Sequence, residues 1–164
     1  MVLIGLGGNL DSEVGPPART FAAALAELAA RGVVAMARSP LYRSAPIPAA
    51  DQPWFVNGVA RLSDSLAPEP LLDALLVVEQ RFGRRRGAAN AARTLDLDLL
   101  AYGAVCCETP RLTLPHPRLH LRGFVLRPLA DLAPEWRHPR LGQTARQLLA
   151  ALPPGQEAEP LTPG

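Results

Sequence analysis
The sequence contains no lysine; all 17 of its basic residues are arginine. This excludes Schiff-base chemistry through a lysine amine and the phosphate-binding lysine of a Walker P-loop. Cysteine is almost as scarce. Cys106 and Cys107 are neighbours in the chain, adjacent cysteines seldom bridge one another, and no Cys-x-x-Cys occurs, so there is neither a disulfide framework nor a dithiol redox pair. That usage fits a reducing compartment, and a cytoplasmic protein is expected. Aromatic residues make up 5% of the chain, which is thin for a base-stacking platform. The net charge of +2 is too small for bulk nucleic-acid binding. No apolar run is long enough to cross a membrane, and the short apolar start, Met1 to Leu6, lacks the basic segment of a signal peptide. The expected partners are therefore small molecules, with no nucleic acid, no membrane and a monomeric state.

The chain has 164 residues, 48% hydrophobic and 20% charged, enough for one domain with a proper core. Val2 to Leu6 reads as a buried strand stopped by Gly7-Gly8-Asn9. Pro16-Pro17 opens a helix that runs to Arg31 with Gly32 as its left-handed cap, and Leu25 and Leu28 fall on its buried stripe. Val33 to Tyr42 reads as a second strand, residues 44–54 as a Pro-rich loop and Phe55 to Leu62 as a third strand. Pro68 opens a second helix, with Leu71, Leu72, Leu75, Leu76 and Glu79 at helical spacing, ending at Gly83. A loop rich in Arg, Ala and Gly leads to a strand over 94–102. Short helices are expected near 124–131 and 143–152. The order strand, helix, strand, strand, helix, strand predicts an α+β fold with a ferredoxin-like β-α-β-β-α-β core, an antiparallel sheet covered by helices. A single domain is expected over 1–152. The remainder, 153–164, holds four of the 18 prolines and little apolar material, and reads as a disordered tail.

The densest chemical signal lies at residues 93 to 98, Arg-Thr-Leu-Asp-Leu-Asp. Leu95, Leu97 and Leu99 alternate with Asp96 and Asp98, the period of a strand with one buried face. The two carboxylates then share the other face, roughly 6.5 Å apart. Neighbouring carboxylates repel each other, and a hard divalent cation such as Mg²⁺ offsets that cost. Residues 81–93 carry five arginines and no acid, and residues 111–127 carry four arginines, His116 and His120, again with no acid. Metal-binding carboxylates flanked by guanidinium groups point to a polyphosphate site.

Six short motifs occur in order: Gly7-Gly8-Asn9-Leu10; Ser39-Pro40-Leu41-Tyr42-Arg43-Ser44; Asp51-Gln52-Pro53-Trp54-Phe55-Val56-Asn57; Glu79 with Gly83-Arg84; Arg93 to Asp98; and Leu114-Pro115-His116 with Arg122-Gly123-Phe124. With them, the chain from Leu3 to about Leu141 resembles the 6-hydroxymethyl-7,8-dihydropterin pyrophosphokinase family of the folate pathway. The resemblance implies an enzyme that transfers pyrophosphate from ATP to the hydroxymethyl group of a dihydropterin and releases AMP, with ATP as co-substrate and two Mg²⁺ ions. It assigns Asp96 and Asp98 to the metal, and Arg84, Arg93, Asp96 and Asp98 to catalysis. It places Glu79, Arg86, Arg93, Leu99, Arg111, Thr113, His116 and Arg122 around ATP, and Ser44, Ala45, Ile47, Phe55, Asn57 and Phe124 around the pterin. Read alone, Phe55 and Phe124 fit plain core packing better than a ligand slot. Asn57 in an apolar strand is more telling, because a buried amide needs partners.

The chain departs from the family pattern in places. Ala89-Asn90-Ala91-Ala92 stands where the family has a basic residue, Trp, Gly and Pro, so the aromatic lid and one phosphate contact are missing. Pro117 follows His116 in place of an aromatic, and Gly8 replaces the Ser of a Gly-Ser-Asn turn. A ligand-binding-only relative and a Mg²⁺-dependent nucleotidyltransferase remain as alternatives on the residues themselves.

Overall fold
A computed structural model describes residues 1–46, 48–83 and 92–161. Ile47, Arg84 and Arg86, expected around the ligands, and most of the Ala-rich loop lie outside these residues. The elements are β1 (Val2–Gly8), α1 (Pro17–Ala30), β2 (Ala35–Arg38), β3 (Tyr42–Ser44), β4 (Phe55–Leu62), α2 (Pro68–Arg81), β5 (Asp96–Tyr102), β6 (Cys107–Glu108), β7 (Thr113–Leu114), a 3₁₀ turn (Leu119–Leu121), α3 (Gly123–Leu132), α4 (Ala145–Ala150) and β8 (Glu159–Pro160). The main sheet runs β5-β1-β4-β3-β8, with β2 beside β3 on the same edge of β4. All its pairings are antiparallel. This is the expected α+β arrangement.

Local chemistry explains the elements. Prolines at the first turns of α1 and α2 sit where an amide has no helical partner. Phe21, Ala24, Leu25 and Leu28 bury one stripe of α1, and Leu71, Leu75 and Val78 bury one stripe of α2, each large aliphatic contributing about 1.5–3 kcal/mol. These stripes meet Ile4, Leu6, Leu95, Leu97 and Leu99 on one face of the sheet. On the opposite face, Leu3, Val59 and Leu100 pack with Val125, Leu126 and Leu129 of α3 and Leu148 of α4. The α4 start carries a reciprocal cap, in which Thr144 Oγ accepts from the Gln147 amide at 3.1 Å and Gln147 Oε1 from the Thr144 amide at 2.9 Å.

Three features differ from the sequence expectation. The strand expected over 33–42 is split into β2 and β3. Its interruption contains Pro40, which has no amide to give, and the Ser39 hydroxyl takes over a backbone role by accepting from the Val59 amide at 2.9 Å. The alternation of β5 breaks where Leu3 faces Ala101 and Ile4 faces Leu99, leaving Leu100 as a bulge whose side chain joins the α3 face. The tail does not fit the disordered reading over 153–161. Glu159–Pro160 pairs with Tyr42–Arg43 as an edge strand, a position that tolerates proline because its outer side needs no donor.

Candidate active site
The α3 face of the sheet carries a cavity whose floor is nearly bare of side chains. Gly5 and Gly7 on β1 lie opposite Asp98 and Asp96 on β5, and Gly7 lies opposite Asn57 on β4. The glycines therefore open a strip between the amide and the two carboxylates. The space is used closely, since a Cβ on Gly7 would come within 2.8 Å of Asn57 Nδ2. The strand alternation explains why Asp96 and Asp98 face this strip while Leu97 and Leu99 are buried beneath it.

The walls come from three other segments. Ser44, Ala45, Pro46, Gln52 and Phe55 line one side, and Arg122, Phe124 and Val125 line the other, with Arg93 beside Asp96. Arg93 Nη1 donates to Asp96 Oδ2 at 2.7 Å. The Arg122 guanidinium lies over the Phe124 ring, 5.3 Å from its centre. Burial lowers its pKa, partly opposed by the charges of Asp98 and Asp96. Asn9 holds the end of β1 against both neighbours. Its Nδ2 donates to Gln52 Oε1 at 2.8 Å and to the Pro53 carbonyl at 3.0 Å, and its Oδ1 accepts the Arg93 amide at 2.9 Å. Gly8 admits this arrangement, because a Cβ there would meet the Thr94 carbonyl oxygen at 2.7 Å.

A second cleft opens on the far side of β5. It is lined by Leu72, Leu76 and Glu79 of α2, by Leu97, Asp98 and Leu99, and by residues 109–113, His116 and Pro117. Asp98 belongs to both cavities. Glu79 is buried and accepts the Leu97 amide at 2.8 Å. Arg111, which lines this cleft, pairs with Asp73 of α2 at 2.5 Å. The backbone amide of His116 donates to the Leu100 carbonyl at 2.8 Å, the carbonyl turned out by the bulge. Burial and the cations Arg122 and Arg118 push the His116 pKa down to about 4, so the ring is neutral near pH 7. Its Nδ1 accepts the Arg118 amide at 3.1 Å, which assigns the ring proton to Nε2.

The donor set fits a hard cation held jointly with phosphate. Asp96 and Asp98 offer oxygen ligands, and among the described residues no group of three or more His, Cys, Asp or Glu gathers into a self-sufficient cage. Mg²⁺ characteristically takes one or two carboxylates and completes its shell with water and phosphate oxygens.

Residues 3–134 match the profile of the 7,8-dihydro-6-hydroxymethylpterin-pyrophosphokinase (HPPK) family. The chain belongs to the HPPK family. The 2-amino-4-hydroxy-6-hydroxymethyldihydropteridine pyrophosphokinase of Pseudomonas aeruginosa is 47% identical over 155 residues, covering 93% of this chain and 91% of that one. The protein of the same name from Synechocystis is 45% identical over 148 residues, covering 90% and 73%. A solved HPPK-DHPS structure in complex with substrates shares the fold with a TM-score of 0.67 at 12% identity. It covers 92% of this chain, which spans 42% of that longer one.

Within this HPPK chain, Ser44, Ala45, Phe55, Asn57 and Phe124 line the first cavity together with Asp96 and Asp98. Glu79, Leu99, Arg111, Thr113 and His116 line the second. Arg93 and Arg122, expected around ATP, lie on the first cavity beside the aspartates, at the junction between the two. Gly5, Gly7 and Gln52 also line the first cavity and Asn9 braces its edge. The motifs Gly7-Gly8-Asn9 and Asp51-Gln52-Pro53 do not by themselves reveal this, because which residues face the cavity depends on strand pairing between segments far apart in the chain.

Proposed function
We propose that this HPPK-family chain transfers the β- and γ-phosphates of ATP, as one pyrophosphoryl unit, to the hydroxymethyl oxygen of 6-hydroxymethyl-7,8-dihydropterin, in folate biosynthesis. The pterin oxygen forms a bond to the β-phosphorus, the bond joining that phosphorus to the α-phosphate oxygen breaks, and AMP leaves. The observation that carries this reading is Asp98, a wall of both cavities, because a transfer between two substrates needs them to meet at one point.

In this reading the pterin occupies the glycine-floored cavity. Phe55 and Phe124 sandwich its ring by offset stacking, and Asn57 gives the donor and acceptor that an aminopyrimidinone edge requires. Ser44, Ala45 and Ile47 add contacts beside it. ATP occupies the cleft of Glu79, Leu99, Arg111, Thr113 and His116. Neutral His116 donates from Nε2 toward phosphate, without the desolvation cost of a buried positive charge. Arg93 and Arg122, with Arg84 and Arg86, hold phosphate oxygens by forked hydrogen bonds. Asp96 and Asp98 would hold two Mg²⁺ ions, which when bound neutralise phosphate charge and lower the pKa of the attacking alcohol. The remaining work is positioning, which suits a site without a nucleophilic side chain. We place the activity in the cytoplasm, in a monomer; among the described residues no helix is long and apolar enough to cross a membrane.

Incubation with ATP, Mg²⁺ and the dihydropterin should yield AMP and the pterin diphosphate. Release of pyrophosphate instead would replace this reading with nucleotidyl transfer. Asp96→Asn and Asp98→Asn should each lower turnover on the order of 10²- to 10³-fold with an unchanged circular-dichroism spectrum. Near-normal turnover in either variant would refute the metal assignment.

A further inference from the structure
Residues 153–161 contribute nothing to either cavity, yet they touch the supports of the first one. Gln156 Oε1 accepts the amide of Gly123 at 2.8 Å. Gly123 is the first residue of α3, and the preceding Arg122 provides no side-chain cap, so the cap comes from the tail. The approach is close enough to dictate the residue it meets. A Cβ at position 123 would lie 2.5 Å from the Gln156 carbonyl oxygen, a distance only glycine accommodates. Further along, Glu159 pairs with Arg43 at 3.2 Å, and the Arg43 guanidinium lies 4.6 Å from the centre of the Trp54 ring. The Leu161 amide donates to the Leu41 carbonyl at 2.8 Å. The tail thus reaches, directly or through Arg43, the residue immediately before each aromatic wall: Gly123 before Phe124, and Trp54 before Phe55.

The two attachments differ in weight. Arg43 and Glu159 are 47% and 61% exposed, and exposed pairs of this kind contribute little. The Gln156 bond satisfies a helix-start amide that otherwise has no intrahelical partner. It also lies one residue from both Arg122 and Phe124.

Resting on the functional reading above, we propose that Gln156 is a positioning residue for the pterin cavity. By capping α3 from the C-terminal segment, it fixes Phe124 at the distance from Phe55 that the flat heterocycle requires. The second cleft, built from α2, β5 and residues 109–117, does not depend on it.

The test combines Gln156→Ala, Gln156→Glu and a chain ending at Gly155, each assayed for turnover and for pterin binding by calorimetry without ATP. Gln156→Ala should weaken pterin binding about fivefold, the fold-change equivalent to the ~1 kcal/mol that a helix cap supplies, with the KM for ATP and kcat unchanged within twofold. Gln156→Glu should restore wild-type binding, because a carboxylate accepts the same amide and its charge suits a helix start. The shortened chain should weaken pterin binding at least as much as Gln156→Ala. Pterin binding by Gln156→Ala equal to wild type overturns the proposal, as does a parallel loss of pterin and ATP binding. If the wild type binds the pterin but releases no AMP, the activity reading fails while the binding comparison still decides the role of Gln156.

Discussion

Gly7→Ala tests the glycine floor most directly. The added methyl would lie 2.8 Å from Asn57 Nδ2 and 3.7 Å from the Asp96 Cβ. Ordinary contact begins near 3.4 Å, so the amide must retreat by about 0.6 Å, or rotate out of the cavity. Its only described bond is the long one, 3.4 Å, to the Leu6 carbonyl, and that does little to hold it in place. The expected loss is one or two hydrogen bonds to the heterocycle edge, each about 0.5–1.5 kcal/mol with a further penalty for partners left unsatisfied. Pterin binding should therefore weaken about 10- to 100-fold, by calorimetry or as a KM increase, while the KM for ATP stays within twofold. Crowding should also cost about 1–3 kcal/mol of fold stability, read by urea denaturation. Gly5→Ala is the control. The nearest atoms to its methyl would be those of the Leu100 side chain, at 3.6 Å, an ordinary contact, so fold stability should hold. If Gly7→Ala binds the pterin within twofold of wild type, the amide does not read the ligand across this strip. Equal losses for both substrates would point to a general disturbance of the sheet.

His116 should give a pH signature in stability. Its pKa in the folded chain, about 4, lies below its ordinary 6.5, so the unfolded chain takes up the proton first on acidification. The contribution is fully present above pH 6.5 and is lost as the pH falls from there to 4. Allowing for solvent screening, it amounts to about 1–2 kcal/mol. His116→Gln should flatten the stability profile over that interval, and identical wild-type and variant slopes would refute the assignment. Glu79→Ala should cost about 1–3 kcal/mol in urea denaturation by leaving the buried Leu97 amide unpaired, whereas Glu79→Gln, which keeps an acceptor, should recover most of the loss. Equal destabilisation by the two variants would show that the amide bond is not what Glu79 supplies.

The parts of the fold legible in the sequence are those governed by local periodicity. The stripes of α1 and α2, the alternation through Asp98, and the prolines and glycines at helix ends each express a preference of a few neighbouring residues. The candidate site was legible where one strand carried it, as with Asp96 and Asp98, and where motif order pointed to Phe55, Asn57 and His116, which line the two cavities. What escaped depends on distant partners. The Leu100 bulge exists only because Leu3 pairs with Ala101. The β6–β7 hairpin of Cys107–Glu108 and Thr113–Leu114 is too short to announce itself by pattern. The tail reads as polar and Pro-rich until the open edge of β3 is available to receive it.

Asn9 has a consequence for the order of folding events. Its side chain joins residues 43, 44 and 84 positions away in sequence. Closures over such distances carry a high entropic cost before any contact repays it, and the β1–β5 pairing that sets Gly7 opposite Asp96 bears the same cost. The mouth of the first cavity is therefore assembled together with the sheet that carries it, and Asn9 makes the order of the one depend on the order of the other.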